Sequence, residues 1–180
     1  KTIFPQIKKR AKKLGATIYF EDESGIRSDF HAGTTWAPKG ETPVIKVTGA
    51  RFSTNMIAAI STRGHLRFMV HHGTITASII CDFLRRLMHN IQNRVFLIWD
   101  GHPTHKSKKV REYIESFDGK LEVYLLPSYS PELNPTEQVW RSLKNHGVGR
   151  KSVFGPDQLK STVISCLRRL QKVPKIVLAF

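Results

Sequence analysis

Short apolar runs alternate with amphipathic stretches along the chain, and their spacing predicts most of its elements. Residues 17–20 (Thr-Ile-Tyr-Phe) read as a buried strand, and the run breaks at once into Glu21-Asp22-Glu23-Ser24-Gly25, whose polarity and glycine predict the strand's end. From 28 to 48, Gly33, Pro38, Gly40 and Pro43 punctuate short extended pieces, with a second strand expected over 43–48. Residues 55–60 and 66–70 predict two more strands, joined by Ser61-Thr-Arg-Gly64 as a hairpin turn. Consecutive strands with short links imply an antiparallel meander.

The period then changes. Ile75, Ile79, Leu84, Leu87 and Met88 recur at roughly helical spacing, which predicts a helix over 74–90 with Thr74 or Thr76 as its cap. Residues 95–99 (Val-Phe-Leu-Ile-Trp) read as strand, 107–117 as helix and 121–125 as strand. Two further helices are expected over 134–146 and 157–171, the second with Leu159, Val163, Leu167 and Leu170 on one face. A strand-helix-strand-helix-strand series calls for parallel pairing through right-handed crossovers. The expected fold class is therefore α/β, a mixed sheet of antiparallel meander plus parallel strands, flanked by helices.

With 180 residues, 40% of them hydrophobic, the chain suits one globular domain over 17–180. Residues 1–16 form a basic lead-in, with Lys1, Lys8, Lys9, Arg10, Lys12 and Lys13 and no acid, readable as a solvated linker or as a DNA contact. The chain opens on Lys1, so an excised domain or one half of a split reading frame is expected.

Charge changes the picture. Twenty-nine Lys and Arg against 14 Asp and Glu give a formal net charge of +15, which points to a polyanionic partner, nucleic acid first. No apolar run approaches the roughly 18 residues of a spanning helix, and the basic residues are spread rather than gathered on one amphipathic helix. Cys81 and Cys166 lie far apart with no Cys-x-x-Cys pair, which fits a reduced, cytoplasmic protein.

Against this basic background six of the 14 acids, Glu21, Asp22, Glu23, Asp100, Glu132 and Glu137, fall into three segments. Asp22 stands at the expected end of the first strand, Asp100 follows the 95–99 strand, and Glu137 lies in the first turn of the 134–146 helix. If those two strands are neighbours, their C-terminal ends open into the crevice where such sheets place ligands. Three converging carboxylates repel one another unless protonated, paired with bases or bound to metal, and an oxygen-only set prefers Mg²⁺ or Mn²⁺. Two such ions about 3.5–4 Å apart activate a water or a 3′-hydroxyl and stabilise the leaving oxygen of an in-line phosphoryl transfer.

Each acid also has a plainer reading. Asn134-Pro-Thr-Glu137 fits a capping box, with Asn134 at the cap, Pro135 at the first helical position and Glu137 reaching back. Glu137 could pair with Arg141, Asp100-Gly101 could be a turn, and Glu21 to Glu23 a solvated strand end. His102 and His105 are orienting or phosphate-contacting groups rather than bases. Ser24, Ser128 and Ser130 have no His/Asp arrangement for a hydrolase triad, and no phosphate-binding Gly-rich loop points to ATP.

Three motifs carry a resemblance: Tyr19-Phe-Glu-Asp-Glu-Ser-Gly25, Ile98-Trp-Asp-Gly-His-Pro-Thr-His-Lys106 and Leu126-Pro-Ser-Tyr-Ser-Pro-Glu-Leu-Asn-Pro-Thr-Glu-Gln-Val-Trp140. With Thr35-Trp-Ala-Pro-Lys-Gly-Glu-Thr-Pro43, they resemble the catalytic domain of mariner-like DDE transposases of the bacterial insertion-sequence branch. The resemblance implies an RNase H-like fold and a metal-binding, catalytic triad of Asp22, Asp100 and Glu137, with Asp22 touching both of two Mg²⁺ or Mn²⁺ ions. Glu23 is left out, because adjacent side chains on a strand face opposite ways. It also implies cleavage at transposon ends and strand transfer to target DNA, at a TA dinucleotide. A homodimer in a synaptic complex and a separate or missing N-terminal helix-turn-helix region belong to the same expectation. Lys106, Lys108, Lys109, Arg141, Lys144 and Trp36 are the candidate DNA contacts, and His102, His105 and Asn134 the candidate accessory residues.

Overall fold

In a computed structural model of the chain, residues 3–30, 36–41, 44, 50–127 and 130–180 are described. The strand expected over 43–48 lies, apart from Val44, outside them. The described residues hold five strands: β1 Thr17–Arg27, β2 Ser53–Ser61, β3 Leu66–His71, β4 Val95–Trp99 and β5 Leu121–Leu125. They form one sheet in the order β3-β2-β1-β4-β5. β1, β2 and β3 make an antiparallel meander, while β1, β4 and β5 run parallel. The mixed sheet expected from the element order is therefore the one observed.

Helices cover both faces: α1 Ile3–Leu14, α2 Ala77–Met88, α3 Lys108–Glu115, α4 Thr136–Ser142, α5 Pro156–Gln171 and α6 Pro174–Leu178. Strand alternation divides the core in two. Ile18, Phe20, Met56, Ala58, Phe96 and Ile98 pack with the α5 stripe Leu159, Val163, Leu167 and Leu170. Tyr19, Ile57, Ala59, Leu97 and Trp99 pack with α2 and α3 residues such as Phe83, Leu84 and Val110. β4 is apolar at every position because it is buried on both sides. Ile7 and Ala11 of α1 join the first cluster, and Arg10 lies over the Phe96 ring and pairs with Glu122 of β5. The basic lead-in thus presents an apolar stripe to the core.

Three expected boundaries are corrected. β1 does not stop at Phe20: it continues through the acids to Arg27, with Glu21, Asp22 and Glu23 opposite Ala59, Ala58 and Ile57 of β2. What ends at Phe20 is its pairing with β4, so polar side chains emerge while β2 still supplies backbone partners. The 134–146 helix begins two residues late, at Thr136, and after Ser142 widens into a π turn, Leu143–Gly147. Gly147 packs so closely on Cys166 that a Cβ there would lie 2.9 Å from its Sγ. Thr76 does stand at the α2 N-cap, but its side chain makes no capping bond, whereas Ser107 at the α3 cap accepts from Val110 N–H. α6 was not expected. It packs on the β2–β3 hairpin, where Gly64 has φ +80° and an added Cβ would sit 2.7 Å from the Pro174 carbonyl oxygen.

Candidate metal centre

The site is built from the difference in length between two parallel neighbours. Pairing of β1 with β4 ends at Phe20↔Ile98, so Asp22 projects just beyond it, and Asp100 directly follows the last residue of β4. The third acid arrives on α4, whose start is fastened to β1 by two buried side chains. Asn134 Nδ2 donates to the Glu21 carbonyl oxygen at 2.9 Å, and Thr136 Oγ1 donates to the Phe20 carbonyl oxygen at 2.8 Å. The first of these satisfies a backbone acceptor past the end of β4 pairing, which would otherwise be buried without a partner. Asn134 Oδ1 also accepts from Thr136 N–H at 3.2 Å. Asn134 is therefore a strap between helix and strand whose Oδ1 still caps the first turn, while among the described residues no Glu137 side-chain bond completes a capping box.

Glu137 lies in the first turn of α4, and Trp140, three residues on, shares its side of the helix. The Trp140 indole Nε1 donates to Asp22 Oδ2 at 2.8 Å. Asp22, Asp100 and Glu137 all line one cleft of about 490 Å³, with His102, Lys106 and Asn134 among the other walls. Asp100 is exposed, and its Oδ1 accepts from His102 N–H at 2.9 Å, which sets the turn after β4.

Electrostatics single out Asp22. Its pKa is raised to about 7, with burial the largest cause; the Trp140 hydrogen bond opposes the rise, and the charges of Glu137, Glu23 and Asp100 add to it. A carboxylate so placed is relieved by positive charge in the cleft. The three acids offer carboxylate oxygens to the cleft, which fits a hard divalent cation such as Mg²⁺ or Mn²⁺.

On the opposite face of β1, Glu21 and Glu23 meet His105. Its ring stacks on Trp99, with centroids 4.2 Å apart, and only 1% of its side chain is exposed. Nε2 lies 2.9 Å from Glu23 Oε1, and Nδ1 lies 3.0 Å from Asp100 Oδ1. Burial lowers the His105 pKa, but the hydrogen bond and charge of Glu23, with Asp100, outweigh it and leave the pKa above its ordinary value. Glu21 is 1% exposed, and neither of its carboxylate oxygens accepts a hydrogen bond from any described residue. Burial, then the charges of Glu23, Asp22 and Asp100, push its pKa well above the ordinary carboxylate range. The enclosed His105 is placed to orient Asp100 and not to meet a phosphate; His102 is exposed.

The candidate DNA contacts separate by position. Lys106 lines the acidic cleft, its Nζ over Gly101. Lys144 donates to Ser24 Oγ at 2.9 Å, and Ser24 shares the Asp22 face of β1. Arg141 and Trp36 are exposed. Lys108 pairs with Glu112 at 3.7 Å, and Lys109 donates to Ser78 on α2, so neither is gathered into the cleft. Sequence reasoning missed Trp140, Thr136 and the Glu21–Glu23–His105 group. Helical spacing from Glu137 could have flagged Trp140, and strand alternation could have flagged the pairing of Glu21 with Glu23.

Comparisons with known proteins bear on the family and the fold. A family described as DDE superfamily endonuclease matches residues 17–160. An uncharacterized 39 kDa protein of insertion element IS630 from Shigella sonnei is 23% identical over 128 residues, 70% of this chain and 37% of that protein. The chain thus spans little more than a third of that curated relative. Among solved structures, the Mos1 transposase paired-end complex with the left transposon end matches with a TM-score of 0.64 at 17% identity, covering 98% of this chain and 58% of that one. The catalytic domain of Mos1 mariner transposase matches with a TM-score of 0.58 at 17% identity, covering 97% and 88%. These likenesses bear out the RNase H-like fold, and the family match over most of the chain places the protein among the DDE superfamily endonucleases.

Proposed function

We propose that this chain is the catalytic domain of a DNA transposase, which cuts DNA at transposon ends and transfers the freed 3′-hydroxyl into target DNA at TA. The observation that carries this reading is the meeting of Asp22, Asp100 and Glu137 in one cleft that Lys106 also lines. The three acids would hold Mg²⁺ or Mn²⁺, two ions per site, which when bound supply an activated water or 3′-hydroxyl and stabilise the leaving oxygen. The chain's own residues do the positioning. Trp140 orients Asp22, the His102 N–H holds Asp100, and the Asn134–Thr136 strap sets where Glu137 enters. Lys106 contacts a backbone phosphate beside the acids, and Lys144, Arg141 and Trp36 extend the contact along duplex DNA. Recognition of the ends falls to a helix-turn-helix region outside these residues, and two copies of the chain act in the synaptic complex.

The deciding experiment uses one duplex with an uncut transposon end to read cleavage, a second with the end pre-cut to read joining, Mg²⁺ and a target plasmid. Asp100→Asn should abolish both cleavage and joining while DNA binding persists; cleavage retained by the variant removes the assignment. Cleavage by the unaltered chain without joining would instead indicate an RNase H-like nuclease, and binding without either reaction a DNA-binding protein only.

A further inference from the structure

We propose that Glu21, Glu23 and His105 form a second cation site, on the face of β1 opposite Asp22, for a divalent ion of the zinc class. The site is independent of the transposase reading, because none of its three ligands lines the acidic cleft. One oxygen from each glutamate and one nitrogen of His105 lie within 4.8 Å of one another. Ligands bonded tetrahedrally to one zinc at roughly 2.0–2.2 Å lie about 3.3–3.6 Å apart, so side-chain rotations that draw the three atoms together by up to about 1.5 Å close the site.

The tautomer of His105 supports the assignment. Nδ1 faces two acceptors, the Asp100 carbonyl oxygen at 3.3 Å and Asp100 Oδ1 at 3.0 Å, and so carries the hydrogen. In the neutral ring Nε2 then directs a lone pair at Glu23 Oε1, 2.9 Å away, and lies 3.9 Å from Glu21 Oε2. A lone pair facing carboxylate oxygens requires positive charge between them. A proton on Nε2 would serve Glu23, yet it would leave both Glu21 oxygens buried without a hydrogen bond. One divalent ion serves all three groups. An imidazole that donates its other N–H to a carboxylate or carbonyl is the usual second-shell arrangement of a metal-bound histidine. Stacking on Trp99 fixes the ring in that pose before any ion arrives.

Ligand chemistry selects the ion. Mg²⁺ favours oxygen ligands and retains its waters, whereas one imidazole with two carboxylates suits Zn²⁺. The bound ion would tie β1 to the segment after β4 and hold Asp100 from behind through His105 Nδ1–H. His105 is in this respect a positioning residue.

The test uses the full chain carrying Asp22→Asn and Glu137→Gln, stripped of metal and given one equivalent of Zn²⁺. One ion should be retained on dialysis, and X-ray absorption at the zinc edge should show a nitrogen/oxygen shell with a single imidazole. Adding Glu21→Gln or His105→Asn should weaken retention at least tenfold, with circular dichroism confirming the fold. Failure of the doubly substituted chain to retain zinc overturns the site, as does a shell with no imidazole or with two or more. Retention unchanged by Glu21→Gln overturns it too. The spectrum is read with all three proposed ligands intact, so misfolding of a ligand variant cannot imitate either result.

Discussion

The Trp140 indole Nε1 donates to Asp22 Oδ2 at 2.8 Å, joining the third turn-mate of Glu137 on α4 to the most buried acid of the cleft. Two of the three cleft acids are thereby coupled through one helix, since Glu137 and Trp140 move together. The bond also favours the ionised form of Asp22 against the burial that disfavors it.

Trp140→Phe keeps most of the buried ring but deletes the donor. The Asp22 pKa should rise further, and the acidic limb of a DNA-cleavage pH profile should move to higher pH by about 0.5–1 unit. Stability should fall by about 1–2 kcal/mol in urea unfolding. A profile that stays in place would show that Asp22 ionisation does not limit cleavage.

Asp22 itself makes metal-free stability pH-dependent. Its folded pKa of about 7 exceeds the unfolded value near 3.9, so between them the folded state binds more protons than the unfolded chain. The stability linked to this group is fully present below about pH 4 and is lost as pH rises through about 7. Asp22→Asn, which cannot ionise, should flatten that fall and leave the metal-free chain on the order of 2–4 kcal/mol more stable than the unaltered one at pH 8. Thermal melts in EDTA at pH 5 and pH 8 measure the difference; addition of Mg²⁺ should stabilise the unaltered chain more than the variant.

Asn134→Ala removes the bond to the Glu21 carbonyl and the bond from Thr136 N–H together. Loss of a buried polar strap should cost about 1–3 kcal/mol. Cleavage should fall by more than the loss of folded protein explains, because the start of α4 places Glu137. Equal loss of folded fraction and activity would reduce Asn134 to a stability residue.

Lys106 and Lys109 lie three residues apart but differ in position. Lys106→Ala should weaken DNA binding and reduce the slope of log affinity against log salt by about 1. Lys109→Ala, on the α2–α3 side with Ser78, should leave both nearly unchanged. Fluorescence anisotropy across a salt series separates them, and equal effects would move the DNA path away from the cleft.

Much of the fold was legible because local patterns coincide with burial. The 95–99 and 121–125 strands match β4 and β5 residue for residue, and the leucine stripe of 157–171 is the buried face of α5. The end of β1 was misread because polarity within a strand and polarity after one look alike in sequence. Only the register shows that β1 runs on beside β2 after β4 has stopped. At the helix start the local pattern shows half of what Asn134 does: its Oδ1 caps the Thr136 N–H, as an Asn before Pro-Thr-Glu suggests, while its Nδ2 donates to a carbonyl of a strand far away in the chain.

By itself the sequence determined the order of elements from β1 to α5, the basic charge, the separation of Asp22 from Glu23 by strand alternation, and the motifs that mark the family. The tertiary structure alone decided that Asp22, Asp100 and Glu137 share a cleft, that Trp140 serves Asp22, and that His105 closes a second polar cluster behind it. Periodicity reports how neighbours in the chain face core or solvent. Which distant side chains meet depends on strand order, strand length and register, and these emerge only when the whole sheet is packed.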